Sequence, residues 1–409
     1  MTMLYKSKIV NLLYFSVFFI HFILTPFSVE TQPILPLLFA GILLFFKIKI
    51  THDMRLMLVF ILVLSCYNFI DVLLSSNYMN IIFYLKYLIG PFLYLIFRNN
   101  SQYLSKSFFN YFLYFLLIFS LLLYLNEIQY LQNIFVPGSD RSFAVDRHSL
   151  FVPEPSYFAF FFILLLIFNE LFFIENKMNK MNKMNYIFNI LTIFFIGFVS
   201  YSGLVYLFAV IYLFIKTIEK NIWFIILGLL GIIISILIIK EVDLGRPTYI
   251  INVLFDFFED KFSIEDYILY YEPSGSTRIL LNYIAFSNIF DNLFGSGIGS
   301  FNHTLNNLGP YLNWLISEHE VLKDFGVNNP QTYLASLVND IGILSLFLFI
   351  AIFNNISIKS KEYKFFIMLC ISTILIMFFI QGQITNPIPW LLLALIKDKM
   401  RYQKCEKQY

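Results

Sequence analysis

Residues 154–174 read EPSYFAFFFILLLIFNELFFI, and only Glu154 and Glu170 in this stretch carry charge. A helix of about 20 apolar residues matches the hydrocarbon thickness of a bilayer, where every backbone polar group must be satisfied without water. Similar runs recur along the chain. Twelve candidate spans lie near 9–27, 34–50, 56–76, 80–97, 107–125, 154–174, 186–200, 202–216, 222–240, 332–354, 365–383 and 387–398, the seventh, eighth and twelfth being short. The chain of 409 residues is 59% apolar and 13% charged, against about 45–50% and about 25% in soluble domains. An aromatic content of 20% excludes a disordered chain. The expected fold class is therefore an all-α polytopic membrane protein, with about twelve transmembrane helices and a large helical extracytoplasmic loop.

With the N-terminus in the cytoplasm, inside loops hold 20 Lys and Arg and outside loops hold 7, with Lys86 inside a span. The asymmetry recurs at nearly every loop, so both termini are expected to be cytoplasmic. The first segment has no small-residue cleavage site after its apolar core and reads as an anchor. Cys66 and Cys370 fall in apolar runs and Cys405 in the basic tail, so no extracytoplasmic disulfide is expected. A net charge of +2 is too small to imply a nucleic-acid partner.

This topology divides the chain into residues 1–240 (spans one to nine, with an outer loop at 126–153), a large outer segment at 241–331, and residues 332–409 (the last three spans and a basic cytoplasmic tail). In the outer segment, Thr277–Leu293 and Pro310–Phe325 carry apolar residues at helical spacing. They predict amphipathic helices lying along the membrane surface.

Ionisable groups inside spans are costly and point to function. Asp71 and Lys86 fall at similar depth near the outer ends of adjacent spans, so they either pair with each other or line a polar cavity open to the outside. His21 and Asp340 also fall in the outer halves of their spans. Glu170 lies close enough to the cytoplasmic end to snorkel.

The first outer loop carries Arg141, Arg147 and His148 ahead of Pro153-Glu-Pro-Ser156. Arginine presents a planar, permanently charged fork suited to diphosphate oxygens. Glu154 and Ser156 can equally cap the helix that follows. In the second loop, Arg278 precedes Gly295-Ser-Gly-Ile-Gly299 and His303. Alternate glycines let a backbone approach an anion, and they also suit a tight turn. From Lys240 to Asp324 there are twelve acidic and five basic residues, so any arginine contact with an anion must be local. Glu318, His319 and Glu320 are adjacent and point in different directions on a helix, so no metal site is expected there. GxSxG, CxxC, HExxH and P-loop patterns do not occur.

Four short pieces, taken in order, resemble the bacterial O-antigen polymerases, of the superfamily that includes the O-antigen ligases. They are Arg147 with Glu154-Pro-Ser156; Ser200-Tyr-Ser-Gly203; Arg278 leading to Leu293-Phe-Gly-Ser-Gly-Ile-Gly-Ser-Phe301; and Asn329-Pro-Gln-Thr-Tyr-Leu334 with Asp340-Ile-Gly342. Tyr201 stands where the family commonly has arginine, and residues 329–331 lack the histidine typical of ligases. The resemblance implies transfer of a growing glycan from polyprenyl diphosphate to the next lipid-linked repeat unit, with membrane lipids and a chain-length regulator protein as partners and no cofactor; since the outer loop between the first and second spans offers only Glu30 as an acidic residue, no metal is expected either. Such a reaction needs a clamp on the leaving diphosphate and a base for the acceptor hydroxyl. Arg278, Arg147 and Arg141 are the candidates for the clamp, and Glu154, His148 and His303 for the base. Ser156, Tyr201, Gly295, Gly297, Gly299, Lys86 and Asp71 are the remaining substrate-binding candidates. A ligase, or a polysaccharide flippase without covalent chemistry, is the alternative.

Overall fold

The computed structural model describes residues 3–22, 31–46, 48–75, 80–124, 152, 155–175, 180–199, 203–220, 249, 252–253, 255–256, 259, 263–266, 268–269, 273–319, 322, 330, 332–354, 356, 363–380 and 382–406. Among these, the named elements are helical: α1 Met3–Ser16, α2 Ile34–Leu43, α3 His52–Ser75, α4 Asn80–Asn100, α5 Lys106–Tyr124, α6 Pro155–Glu175, α7 Lys180–Val199, α8 Gly203–Lys220, α9 Pro273–Asp291, α10 Phe301–Asn306, α11 Pro310–Glu318, α12 Tyr333–Ile341, α13 Leu346–Phe353, α14 Lys364–Phe379 and α15 Ile388–Glu406. Four helical stretches are long and apolar enough to cross a membrane: His52–Leu74, Asn80–Tyr103, Tyr157–Glu175 and Tyr333–Phe353. Five shorter apolar helices accompany them. The outer loop at 126–153, apart from Val152, and the span expected at 222–240 lie outside the described residues.

The apolar runs separate into two kinds once packed. In α6 the most apolar window is 83% buried, and Phe168 sits among Tyr14, Phe15 and Phe109 at centroid distances of 6.5, 5.7 and 6.1 Å. In α3 only 17% is buried, and Leu62, Phe69, Leu73 and Leu74 are exposed. A helix apolar on its exposed face has the surface of a lipid-facing span. The second interior helix is α15, which runs alongside α4 in the same direction. Trp390 lies over Gly90, where a Cβ would stand 2.0 Å from the indole Nε1, and Arg98 meets Asp398 one end further along. Glycine at position 90 thus sets the approach of the two helices.

Several span expectations change. The first helix starts earlier and leaves α geometry at Ser16, continuing as a 3₁₀ turn over Val17–Phe19. The second covers only Ile34–Leu43, ten residues, and Phe45 just beyond it is exposed. The span expected at 332–354 is broken: Gly342 has φ 56° and separates α12 from a 3₁₀ turn and α13. The last helix is longer than its apolar run, because part of the basic tail continues it to Glu406. Glu170 does not snorkel; it is buried, and its carboxylate accepts from Lys216 Nζ at 2.8 Å and from the hydroxyls of Tyr186 and Tyr212. Its short side chain cannot reach out as lysine can, so the cation and two phenols come to it.

Arg98, Lys397 and Lys399, expected at a solvated cytoplasmic boundary, are buried. Arg98 donates to Asp53 at 2.9 Å and to Asp398 at 3.0 Å, and Lys399 pairs with Glu175. Tyr94 donates to the same Asp53 oxygen at 2.8 Å. This chain of charges ties α3, α4, α6 and α15 at one end of the bundle. Thr332, Gly382 and Asn386 mark the other: Thr332 bridges Gly382, the Tyr333 amide donates to the Gly382 carbonyl at 2.9 Å, and the Asn386 amide donates to the Gln383 carbonyl at 3.0 Å.

Segment 273–319 forms helices where periodicity predicts them. α9 packs along α12 in the same direction, with Asn282 beside Thr332 and Asn288 beside Asn339. The chain turns back through 292–300 into α10 and α11. His319 then closes the hairpin: it is fully buried, with Nε2 3.0 Å from Ser276 Oγ. This contact fixes its structural role within the Glu318-His319-Glu320 triplet. Tyr311 on α11 donates to Glu265 at 2.9 Å; the backbone bond at Glu265 and this phenol hold the carboxyl below its usual range.

Candidate functional site

The turn between α9 and α10 is built on three glycines with positive φ: Gly295 at 80°, Gly297 at 98° and Gly299 at 73°. An L side chain is strained in this region. At Gly295 a Cβ would also meet backbone, 2.3 Å from Asp340 O, and at Gly297 it would press on the Asp71 carboxylate at 2.8 Å.

Consecutive amides of the turn all have protein acceptors. Gly295 N donates to Asn292 O at 2.8 Å, Ser296 N to Asn339 O at 2.9 Å, and Gly297 N to Asp340 O at 3.1 Å. Ile298 N donates to Asp71 Oδ2 at 3.0 Å and Gly299 N to Asp340 Oδ2 at 2.8 Å. The backbone does approach anions, as the alternate glycines suggested, but the anions are two carboxylates of the same chain. The amides of Gly295, Gly297 and Gly299, substrate-binding candidates from the sequence, thus all donate to acceptors within the chain.

The break in the span explains the arrangement. Where α12 ends at Gly342, backbone groups lose their helical partners, and non-helical backbone at membrane depth must be satisfied by protein. The turn supplies the partners: Ile343 N donates to Leu293 O at 2.8 Å, and Asn339 O and Asp340 O accept from Ser296 and Gly297. Tyr67 on α3 donates to both Phe294 O and Asp340 O at 2.9 Å. Asn288 Nδ2 reaches Ser296 Oγ at 2.9 Å and Asn339 O at 3.2 Å, and Thr304 donates to Asn339 Oδ1 at 2.8 Å.

Asp340 is 3% exposed and accepts from Tyr87 Oη at 2.8 Å, Gly299 N, and Asn339 Nδ2 at 3.0 Å. Both of its carboxyl oxygens are thereby hydrogen-bonded. Among the described residues no cation pairs with it. Tyr87 is oriented by an edge contact with Tyr333, centroids 5.6 Å apart, and Tyr333 by Trp390 at 5.2 Å. Tyr87→Phe is expected to lower stability by about 0.5–1.5 kcal/mol, the range for one intramolecular hydrogen bond lost. Thermal unfolding in detergent checks this, and an unchanged midpoint would remove Tyr87 from the support of Asp340.

Asp71 and Lys86 do not pair. Asp71 Oδ2 accepts from Asn80 Nδ2 at 2.8 Å as well as from Ile298 N. Lys86 Nζ instead lies 4.9 Å over the Phe83 ring, and Phe83 rests against Gly299. Competition explains the difference: backbone amides whose positions the turn fixes have taken the carboxylate. Asp71 and Asp340 instead meet at adjacent amides of the turn, Ile298 N and Gly299 N. His21 is buried against α6, its ring 5.0 Å from Tyr157, which accepts from Gln383 at 3.2 Å.

Arg278 is half-buried in α9, ten residues before Asn288 and so about 15 Å along the axis. His303 is exposed on α10, Nδ1 3.2 Å from Asn307 Nδ2. Ser156 lies in the first turn of α6. Arg141, Arg147, His148, Glu154 and Tyr201 lie outside the described residues.

Sequence reasoning did not single out Tyr67, Tyr87, Asn288, Asn339 or Thr304. The adjacent polar pair Asn339-Asp340 in an apolar run was a usable signal for one of them; the tyrosines resemble any aromatic residue of a span. No protein-family model matches the chain, and no curated protein is significantly similar to it.

Proposed function

We propose that the chain is a metal-independent glycosyltransferase of a bacterial cytoplasmic membrane. It polymerises lipid-linked oligosaccharide repeat units at the outer face, within a fold of about twelve spans with both termini cytoplasmic. One observation carries this reading. Two pieces of the resemblance, Leu293–Phe301 and Asp340–Gly342, interlock through the amides of Gly297 and Gly299, which donate to Asp340, as parts of one site would. In the reaction an acceptor hydroxyl attacks the anomeric carbon, the bond to the diphosphate breaks, and polyprenyl diphosphate leaves. Arg278, with Arg147 and Arg141, balances the charge that develops on the diphosphate. Glu154, His148 or His303 takes the hydroxyl proton. The interlocked turn fixes the base of the site, with Lys86 beside it on the α4 side. A chain-length regulator protein is the expected partner.

A transporter is the second reading, favoured by a specific feature: a discontinuous helix with a buried carboxylate at its break is a common ion or substrate site in transporters. Deletion of the gene, complemented by the intact chain or by Arg278→Ala at equal membrane levels, separates the two. Polymerisation predicts a surface-polysaccharide ladder that collapses to single repeats on deletion and with Arg278→Ala. Complete loss of repeats on deletion would favour transport, and a normal ladder with Arg278→Ala would remove that residue from the clamp.

A further inference from the structure

We infer that α9 and the glycine turn form a re-entrant hairpin that contacts lipid acyl chains directly, rather than a helix lying along the membrane surface. Three observations carry this, none of which depends on the reaction proposed above. The first is depth. Phe294 O is 2.9 Å from the hydroxyl of Tyr67, which lies eight residues before the end of α3 at Ser75, about 12 Å at 1.5 Å per residue. Side chains on a helix lean toward its N-terminus, so the Tyr67 hydroxyl is no shallower than its Cα. The tip of the turn therefore reaches well below the end of a span.

The second observation is the surface α9 presents. Leu280, Leu281, Ile284 and Ala285 are buried, while Ile279, Tyr283 and Phe290 are exposed, at 61, 59 and 89%. At 100° per residue these three fall in one narrow stripe; exposed Asp291, the last residue of α9, lies about 100° round from Phe290 on its flank. Leu293 and Phe294 extend it beyond the helix, exposed at 54 and 61%. A helix in water shows polar residues along its exposed face, whereas an exposed apolar stripe continued by Leu293 and Phe294 suits an apolar medium. The third is continuity. Phe294 meets α3 at Tyr67, and α3 beside it exposes Phe69, Ile70 and Leu73, so the stripe extends the surface of a lipid-facing span. The returning arm is different. α10 and α11 expose Asn302, His303, Asn306, Asn307 and Asn313, which places water on that side. At the closed end of the hairpin, exposed Tyr311 and Trp314, centroids 6.1 Å apart, suit the membrane interface. The hairpin thus separates acyl chains from an aqueous space.

The test uses full-length protein with its native cysteines replaced by serine, reconstituted in vesicles of phosphatidylethanolamine and phosphatidylglycerol. Nitroxides are attached at Ile279→Cys, Phe290→Cys or Leu293→Cys, all exposed positions. Leu62→Cys on α3 serves as the lipid reference and Asn306→Cys as the water reference. Collision with oxygen is compared with collision with a water-soluble nickel chelate. The expected result is an oxygen-to-nickel ratio at 279, 290 and 293 matching Leu62→Cys and several-fold above Asn306→Cys. A ratio at these sites like that of Asn306→Cys would overturn the inference in favour of a surface helix. Immobilised nitroxides that neither reagent reaches would overturn it in favour of a protein partner covering the stripe. Because the readout is depth, a failed polysaccharide ladder would not affect it.

Discussion

Arg98→Met is expected to destabilise the protein by about 3–5 kcal/mol, the range seen when one partner of a buried ion pair is removed. The side chain of Arg98 is 4% exposed and bridges Asp53 and Asp398 at 2.9 and 3.0 Å. Its loss leaves two carboxylates in a low-dielectric interior, with Lys399 able to approach Asp398 only at 3.7 Å. The charge alone does not replace it: Arg98→Lys keeps the cation but cannot extend a fork to both oxygens, so it should recover only part of the loss. Removing all three groups together, as Asp53→Leu, Arg98→Met and Asp398→Leu, should cost less than the single change, because no buried carboxylate is left without its arginine. Thermal unfolding of detergent-solubilised protein measures all three. A single variant as stable as the parent would mean that water reaches this network and that the four helices it joins are held by apolar packing.

The second large effect is expected at the break in the α12–α13 span. Gly342 has φ 56°, and a Cβ there would stand 2.2 Å from Leu293 O and 2.5 Å from Gly295 N. Both neighbours are backbone, so neither yields without moving the glycine turn. Gly342→Ala should cost about 1–3 kcal/mol in local strain, plus about 1 kcal/mol for each hydrogen bond the turn gives up. The bonds at risk are those of Ser296, Gly297 and Ile343. Two readouts follow. Maleimide labelling of Ser296→Cys should rise several-fold in the Gly342→Ala background whatever the protein's activity. The polysaccharide ladder should be lost if the turn belongs to a polymerase site. Gly309→Ala is the control, since a Cβ at that position meets nothing within 4 Å. Labelling that stays at the parent level would show that α12 tolerates the substitution without displacing the turn.

Much of the architecture is written in local sequence. Runs near 20 apolar residues, the glycine and proline interruptions, and the helical spacing in Thr277–Leu293 and Pro310–Phe325 each depend on residues within a few turns of one another. They anticipate the helical class and α9 and α11 within the outer segment, while of the twelve spans expected four stretches among the described residues are long and apolar enough to cross a membrane. The glycine triplet was legible as a turn that an anion could approach, because positive φ is a property of single residues.

What occupies that turn was not legible. Ile298 and Asp71 are 227 residues apart, Tyr87 and Asp340 are 253 apart, and Arg98 and Asp398 are 300 apart. No short-range pattern pairs them. Sequence position sets the depth of a charge in a span, but the neighbouring helices set its partner. Asp71 and Lys86, matched in depth, therefore go to different groups. The same holds for Glu170, whose cation and phenols arrive on α7 and α8. The sequence by itself determined that these helices form, since backbone conformation responds to local residues, whereas the break at Gly342 inside the span expected at 332–354 emerged only in the fold. Only the tertiary structure decided which broken backbone each buried carboxylate completes, because desolvated donors and acceptors must be matched across the whole fold at once.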